Sequence, residues 1–418
     1  MEFLLSLVLL LILAKLFGEL AERLGFPSML GYLISGMLVG LTSLGVDGFH
    51  FGSSQTEIAL FGEMGAILLL FVAGMRELDT TQFISNRKGT YISSVLGFFL
   101  PAMAIIIIAA NAHLIDPRFN IGFAGAATLV ACLSVSSVVT SMKVLIKMGK
   151  LNTDAGRIVL STAVIDALFG LAVFTMISVI IPIMPIADGH FLEGIVSGLV
   201  EIFSIGVMLV VLFALGEGIV PLIVKYTAGL EVEEAQFTLA FVIMLVLAAV
   251  VSAFGLHGII GAFLAGIIIS RSSLRESNFS DKLASLSYGI FVPIFFAWIG
   301  MMVFTNFTDI ENPFWLMPNW YLFLVVLIAG VFITNFLGSY IGARFGGLKR
   351  KPSALVGLGM IPRGGIGLVI LAGIATSRPP FFGVVLDDFI YTSVIAVVLL
   401  SVLVSPLLIS LGAKEKTI

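Results

Sequence analysis

Apolar runs decide what this chain can become. Turn residues and charges cut it into about thirteen of them, at roughly 3–22, 28–43, 57–75, 90–112, 121–146, 157–182, 196–224, 236–254, 258–271, 286–305, 320–344, 354–376 and 388–411. A helix of about 17–25 residues crosses the hydrocarbon core of a bilayer, and most of these runs are that long. In lipid the backbone must find its hydrogen bonds inside the protein, which leaves helices or closed barrels. The alternating ten-residue segments of a barrel are not the pattern here. Composition agrees. Charged residues make up 11% of the chain and hydrophobic ones 59%, where a soluble domain is about a quarter charged. The expected fold class is an all-α polytopic membrane protein with about 13 transmembrane helices, and the lipid bilayer is its first partner.

Basic residues fall on alternate connections. One set carries Arg23; Arg76, Arg87 and Lys88; Lys147, Lys150 and Arg157; Lys225; Arg271, Arg275 and Lys282; Lys349, Arg350 and Lys351; and Lys414 and Lys416. The other set carries only Arg118 and Arg378. Lys and Arg in short loops stay on the cytoplasmic side. The expected placement is therefore the inner (plasma) membrane, with the N-terminus outside and the C-terminus in the cytoplasm. The first run has no basic leader and no clear cleavage site, so it reads as a retained helix. The chain reads as one membrane unit, 1–418, without a soluble regulatory domain. A net charge of −3 and the lack of a basic, aromatic-rich patch argue against a nucleic-acid partner. A single cysteine, Cys132, excludes an internal disulfide and a cysteine metal cluster. His50, His113, His190 and His257 fall in or beside loops, and no phosphate loop or H-E-x-x-H is present. Neither an enzyme nor a cofactor is expected.

Against this background "STAVIDALFGLAV" (161–173) stands out. Asp166 lies about ten residues, or roughly 15 Å of helix rise, beyond Arg157. That is mid-bilayer, where an ionised carboxylate costs roughly 2.5–3.5 kcal/mol even on insertion scales. Other ionisable groups in the apolar runs are Lys15, Glu63, Glu201, Glu217 and Arg363. Lys15, Glu201 and Glu217 are near enough to an interface to snorkel, and Glu63 sits at intermediate depth. Two runs look interrupted. In 127–145, Ser134, Ser136, Ser137 and Thr140 crowd an apolar span. In 354–376, Pro362 removes an amide donor and Gly364 and Gly365 loosen the chain around Arg363. Interrupted helices in the two halves of a membrane protein point to a transport site, although small hydroxyl residues also serve close helix packing.

The chain resembles the bacterial monovalent cation/proton antiporters, the sodium/proton and Kef-type potassium/proton group. The resemblance rests on "FPSMLGYLISGMLVG" (26–40), "EMGAILLLFVAGMRELD" (63–79), "GRIVLSTAVIDALFGL" (156–171), "HGIIGAFLAGIIIS" (257–270), "FVPIFFAWIGMMV" (291–303), "ITNFLGSYIGAR" (333–344) and "GMIPRGGIGLVI" (359–370). It implies inverted repeats, two crossed broken helices, and a homodimer in which a mobile core part works against a dimerisation part that includes the first helix. It implies exchange of Na⁺ or K⁺ for H⁺ by alternating access at a carboxylate in the sixth helix. One carboxylate binds either a proton or a metal ion, so the two compete. The sequence departs from the group's pattern at three places. Sodium/proton members carry two adjacent acids, and here Asp166 matches the first while Ala167 takes the place of the second. Asn335 stands where many members have lysine, and Gly365 where they have the Glu of P-R-G-E. Three arrangements stay open for Asp166. It could hold the cation itself, as the one metal-binding carboxylate, with Ser136, Ser137, Thr140 and Asn335 supplying neutral oxygens. It could be neutral at rest. It could pair with Arg363 as the charge-compensating or gating group, beside Glu63. The altered site also leaves room for transport of an anion or another solute, or for a transport-inactive, channel-like subunit.

Overall fold

The computed structural model describes residues 2–42, 55–77, 87–183, 191–227, 235–271, 279–305, 318–376 and 388–413. Arg275, Arg378, Lys414 and Lys416, on which part of the orientation reading rests, lie outside the described residues. Among the described residues sixteen α-helices follow in order. They are α1 (Glu2–Arg23), α2 (Ser28–Thr42), α3 (Gln55–Glu77), α4 (Arg87–Ala110), α5 (Phe123–Leu133), α6 (Val138–Lys147), α7 (Asp154–Ile183) and α8 (Phe191–Thr227). Then come α9 (Ala235–Ala253), α10 (Gly258–Ser270), α11 (Phe279–Leu286), α12 (Val292–Thr305), α13 (Pro318–Phe345), α14 (Arg350–Gly359), α15 (Gly365–Thr376) and α16 (Asp388–Ala413). A π-helical stretch, Ser287–Phe291, joins α11 to α12. Among the described residues nine helical stretches are long and apolar enough to span a membrane, and four shorter apolar helices accompany them. Apolar side chains on the outer face of α1, such as Leu4, Val8, Ile12, Leu16 and Leu20, are exposed. Lipid, not water, suits such a surface.

Both sequence interruptions are real breaks. α5 ends at Leu133 and α6 begins at Val138. The serines between them offer the backbone side-chain partners in place of helical ones. Ser137 takes the N-cap position of α6 and accepts from the Thr140 amide at 3.4 Å. α14 ends at Gly359, and α15 resumes at Gly365 past the proline. The two extended breaks lie side by side. Ser136 and Arg363 form an antiparallel bridge, and the Ser137 amide donates to the Pro362 carbonyl at 2.7 Å. Each break thus satisfies part of the other's backbone where lipid could not.

The helices pack as two groups. α1, α2, α3, α9, α10, α11 and α12 lie mainly against one another, as do α4, α5, α6, α7, α13, α14, α15 and α16. Inside each group backbones touch through glycine. A Cβ on Gly36 would sit 1.8 Å from the Ala297 carbonyl oxygen, and one on Gly300 2.1 Å from that of Leu33, which brings α2 against α12. In the second group Gly338 and Gly342 play the same part between α13 and α4, at 2.4 Å from Leu96 O and 2.3 Å from Ser93 N. Small residues at this spacing are how helices approach closely in lipid. Between the groups the neighbours of Gly364 and Gly365 are side chains, of Met29, Leu69 and Phe296. Gly36→Ala should therefore lower the unfolding temperature in detergent markedly, since overpacking costs about 1–3 kcal/mol and the Ala297 backbone cannot step aside. An unchanged midpoint would show that α2 and α12 stand further apart.

Away from the breaks, the connection after α4 is clamped. Asp116, which is buried, accepts from Arg118 N (3.0 Å), Nε (2.9 Å) and Nη2 (2.6 Å), and from Asn319 Nδ2 of α13 (3.1 Å). Hydrogen bonds from Arg118, side chain first and then backbone, with Asn319, hold its pKa well below the usual carboxylate range. A carboxylate with a depressed folded pKa stabilises the fold above its unfolded pKa and loses that effect only in stronger acid. Asp116→Asn should lower thermal stability by the same amount at pH 5 as at pH 8. A deficit that shrinks between pH 8 and pH 5 would mean that the clamp titrates in that window.

Candidate functional site

α7 carries Asp166 to the point where the two breaks meet, and the carboxylate is fully buried. Ser136 Oγ donates to Asp166 Oδ2 at 3.0 Å, while Oδ1 has no hydrogen-bond partner. Arg363, in the other break, is also fully buried. Its Nη1 donates to the Ser134 carbonyl at 3.0 Å and to Ser136 Oγ at 3.3 Å. The guanidinium does not touch Asp166 directly. Ser136 stands between them, accepting from the base and donating to the acid. Nε and Nη2 of Arg363 and the hydroxyl of Ser134 are left unpartnered. Buried polar atoms seldom stay unsatisfied, so four of them where the two breaks cross mark a site built to receive something polar.

Half-helix ends add to the field. Ser134, the C-cap of α5, turns its carbonyl to Arg363, at the end of a helix dipole that favours a cation. α6 and α15 start from the same crossing and present their N-termini. Acid, base and opposed dipole ends therefore converge without summing to a large charge.

The remaining sequence candidates fall around this centre. Ser137 and Thr140 share a hydrogen bond between hydroxyls at 3.0 Å. Ser137 Oγ also caps α6, and a Cβ on Gly364 would lie 2.3 Å from it. Asn335 is fully buried on α13, but its amide donates to the Gly97 carbonyl of α4 at 2.8 Å and its Oδ1 is unpartnered. No hydrogen bond joins it to Asp166. Thr162, one turn before Asp166, accepts at its carbonyl from Ser94, one turn before the same Gly97, at 3.3 Å. Asp166 and Asn335 thus stand at similar depth along α4. Glu63 is half-buried on α3. It lies about 9 Å along that helix from Leu69, the residue near Gly365. His257 caps α10 through Nδ1, accepting from the Ile259 amide at 3.4 Å, and its Nε2 lies 3.2 Å from Thr376 Oγ1 of α15.

Several residues that position the site were not singled out in the sequence. Ser401 of α16 accepts from the Arg363 amide at 2.9 Å, holding the break from outside. Ser141 donates to the Ser137 carbonyl (2.9 Å) and to the Gly359 carbonyl (2.5 Å), tying one break to the end of α14. Ser401 stands alone in an apolar run, and Ser141 is one hydroxyl among several in its segment, so neither signals its role.

A membrane-embedded site at two interrupted helices is the construction of secondary transporters. The profile of the family described as "Sodium/hydrogen exchanger, transmembrane" matches residues 8–411, and the chain belongs to that family. It is 30% identical to the Na(+)/H(+)-K(+) antiporter GerN of Bacillus cereus, over 99% of this chain and 98% of that one. It is 26% identical to a Na(+)/H(+) antiporter of Enterococcus hirae, over 99% of each. Among solved structures, the sodium proton antiporter MjNhaP1 of Methanocaldococcus jannaschii superposes with a TM-score of 0.66. It covers 99% of this chain and 100% of that one at 15% identity, a likeness of fold.

Proposed function

We propose that this protein is a secondary active transporter exchanging Na⁺ or K⁺ for H⁺, with Asp166 as the carrier of either ion. The observation that carries the reading is the unpartnered Oδ1 of a fully buried carboxylate. Hard monovalent cations take oxygen ligands, and the Ser134 hydroxyl in the adjoining break is a second free oxygen. One buried acid and one buried base leave the empty site near neutral, so loading one proton or one monovalent cation changes its charge equally. Exchange is then one for one and electroneutral. The two helix groups, close-packed within themselves through glycine and meeting through side chains beside the breaks, support alternating access by movement of one past the other. In this reading the group holding α1 supplies the contact of a homodimer, and the protein sits in the plasma membrane with its basic face in the cytoplasm.

The test uses proteoliposomes with an internal pH dye and an imposed pH gradient. Addition of Na⁺, K⁺ or Li⁺ should collapse the gradient with at least one cation. It should do so without a membrane potential, and at the same rate when valinomycin clamps the potential in a K⁺-balanced medium. No recovery with any cation, in protein that elutes as a folded species, would sink the reading and direct attention to anion flux at Arg363.

A further inference from the structure

On the face that carries Arg23, Lys143 and Lys147, a cavity of about 180 Å³ opens between the α1–α2 turn, α6 and α16. Gly25, Pro27, Lys143, Lys147, Met148 and Thr140 line it. Thr140 is fully buried and bonded to Ser137, whose amide joins the two breaks. The cavity floor is thus one residue from the crossing. Two straps close the rim. Lys143 Nζ of α6 is ion-paired with Glu22 at the end of α1. Lys147 Nζ donates to the carbonyl of Gly25 at 3.4 Å. Glu22 is itself held, because Oε1 accepts from the Ser28 amide at the start of α2 at 3.1 Å. Both straps run from one helix group to the other. α1 and α2 belong to the first group and α6 to the second.

We propose that the Glu22–Lys143 pair is a latch over this cavity, and that it sets how readily a cation enters from the basic face. The inference rests on the cation-exchange reading above. Lysines are a poor lining for a cation path unless their charge is masked or withdrawn. Glu22 does the masking while the pair is closed. Because the pair bridges the two groups, it must break whenever they slide apart, so it also biases which arrangement the protein rests in. Neither residue touches the transported ion at Asp166. They set how readily it arrives.

The two partners therefore have opposite effects. Lys143→Met removes the repelling charge and should lower the cation KM at this face. Glu22→Gln frees Lys143 and should raise it. Each change should be about two- to sixfold, the effect of one charge at roughly 8 Å through an effective dielectric of about 40–80. A folding defect cannot move the two in opposite directions. Cysteines at 22 and 143 give a second test, since the native Cys132 is fully buried. A reducible bis-methanethiosulfonate spacer should cross-link them and stop exchange, and reductant should restore it, while neither single-cysteine variant responds. Exchange continuing at full rate in cross-linked protein would overturn the latch, and KM shifts of the same sign in both variants would overturn the masking of Lys143 by Glu22. Wild-type protein exchanging no cation would instead fail the transport reading on which it rests.

Discussion

Asp166→Asn abolishes cation-driven proton movement while the protein still inserts and folds. The asparagine keeps the size of the side chain and can still accept from Ser136 Oγ, so the crossing of the breaks survives. It cannot take up or release a proton, and it offers a cation a dipole instead of a charge. The effect should be all-or-none, because the residue after Asp166 is Ala167 and offers no second carboxylate. Dye-reported pH recovery in proteoliposomes should fall to the rate of empty vesicles with Na⁺, K⁺ and Li⁺ alike. Residual cation-dependent recovery would place the carrier elsewhere, with Glu63 the next carboxylate to test.

The second large effect concerns Arg363. Breaking a buried pair from one side costs about 3–5 kcal/mol, because a charge is left without compensation. Arg363→Gln leaves Asp166 facing Ser136 alone, and Asp166→Asn leaves the guanidinium with only Ser134 O and Ser136 Oγ. Both single variants should unfold at clearly lower temperature than wild type. The double variant should recover much of the loss, since it buries no unmatched charge. Thermal unfolding of the four proteins gives the coupling directly. Additive losses would show that the two groups do not sense each other through Ser136, and the neutral-site account of electroneutral exchange would lose its basis. The recovered double variant must still be silent in transport, which separates its stability from its function.

Much of this site could be read from the sequence, for a physical reason. An acid in hydrocarbon and a Pro-Arg-Gly-Gly run inside an apolar segment are expensive, and expense in a membrane shows as an exception to an otherwise uniform pattern. Asp166, Arg363 and the serine cluster were visible in that way. The pairing of the two breaks was not, because antiparallel contact between residues 136 and 363 is a fact of tertiary packing. The contact of the Asn335 amide with α4, which leaves its Oδ1 unpartnered, is illegible in the sequence for the same reason. Nothing in its own segment says that Gly97 of α4 lets it come close and takes its amide. Ser401 and Ser141 were missed because serine is cheap to bury when it back-bonds to its own helix, as Ser401 does to Val398 O at 2.7 Å. Such a residue looks the same whether or not it also holds a neighbour. The Glu22–Lys143 pair is invisible in the sequence because the two are far apart along the chain and each looks like an ordinary interfacial charge.

In this transport cycle one carboxylate, Asp166, holds either a proton or a cation and never both. Proton release on cation binding tests it most directly. Purified protein in weakly buffered detergent is titrated with Na⁺ or K⁺ near neutral pH, and the pH change is counted against protein concentration. The account predicts saturable release, approaching one proton per chain as the starting pH is lowered, and none from Asp166→Asn. Release that persists undiminished in Asp166→Asn, or saturable cation binding to wild type without any proton release at any starting pH, would contradict it.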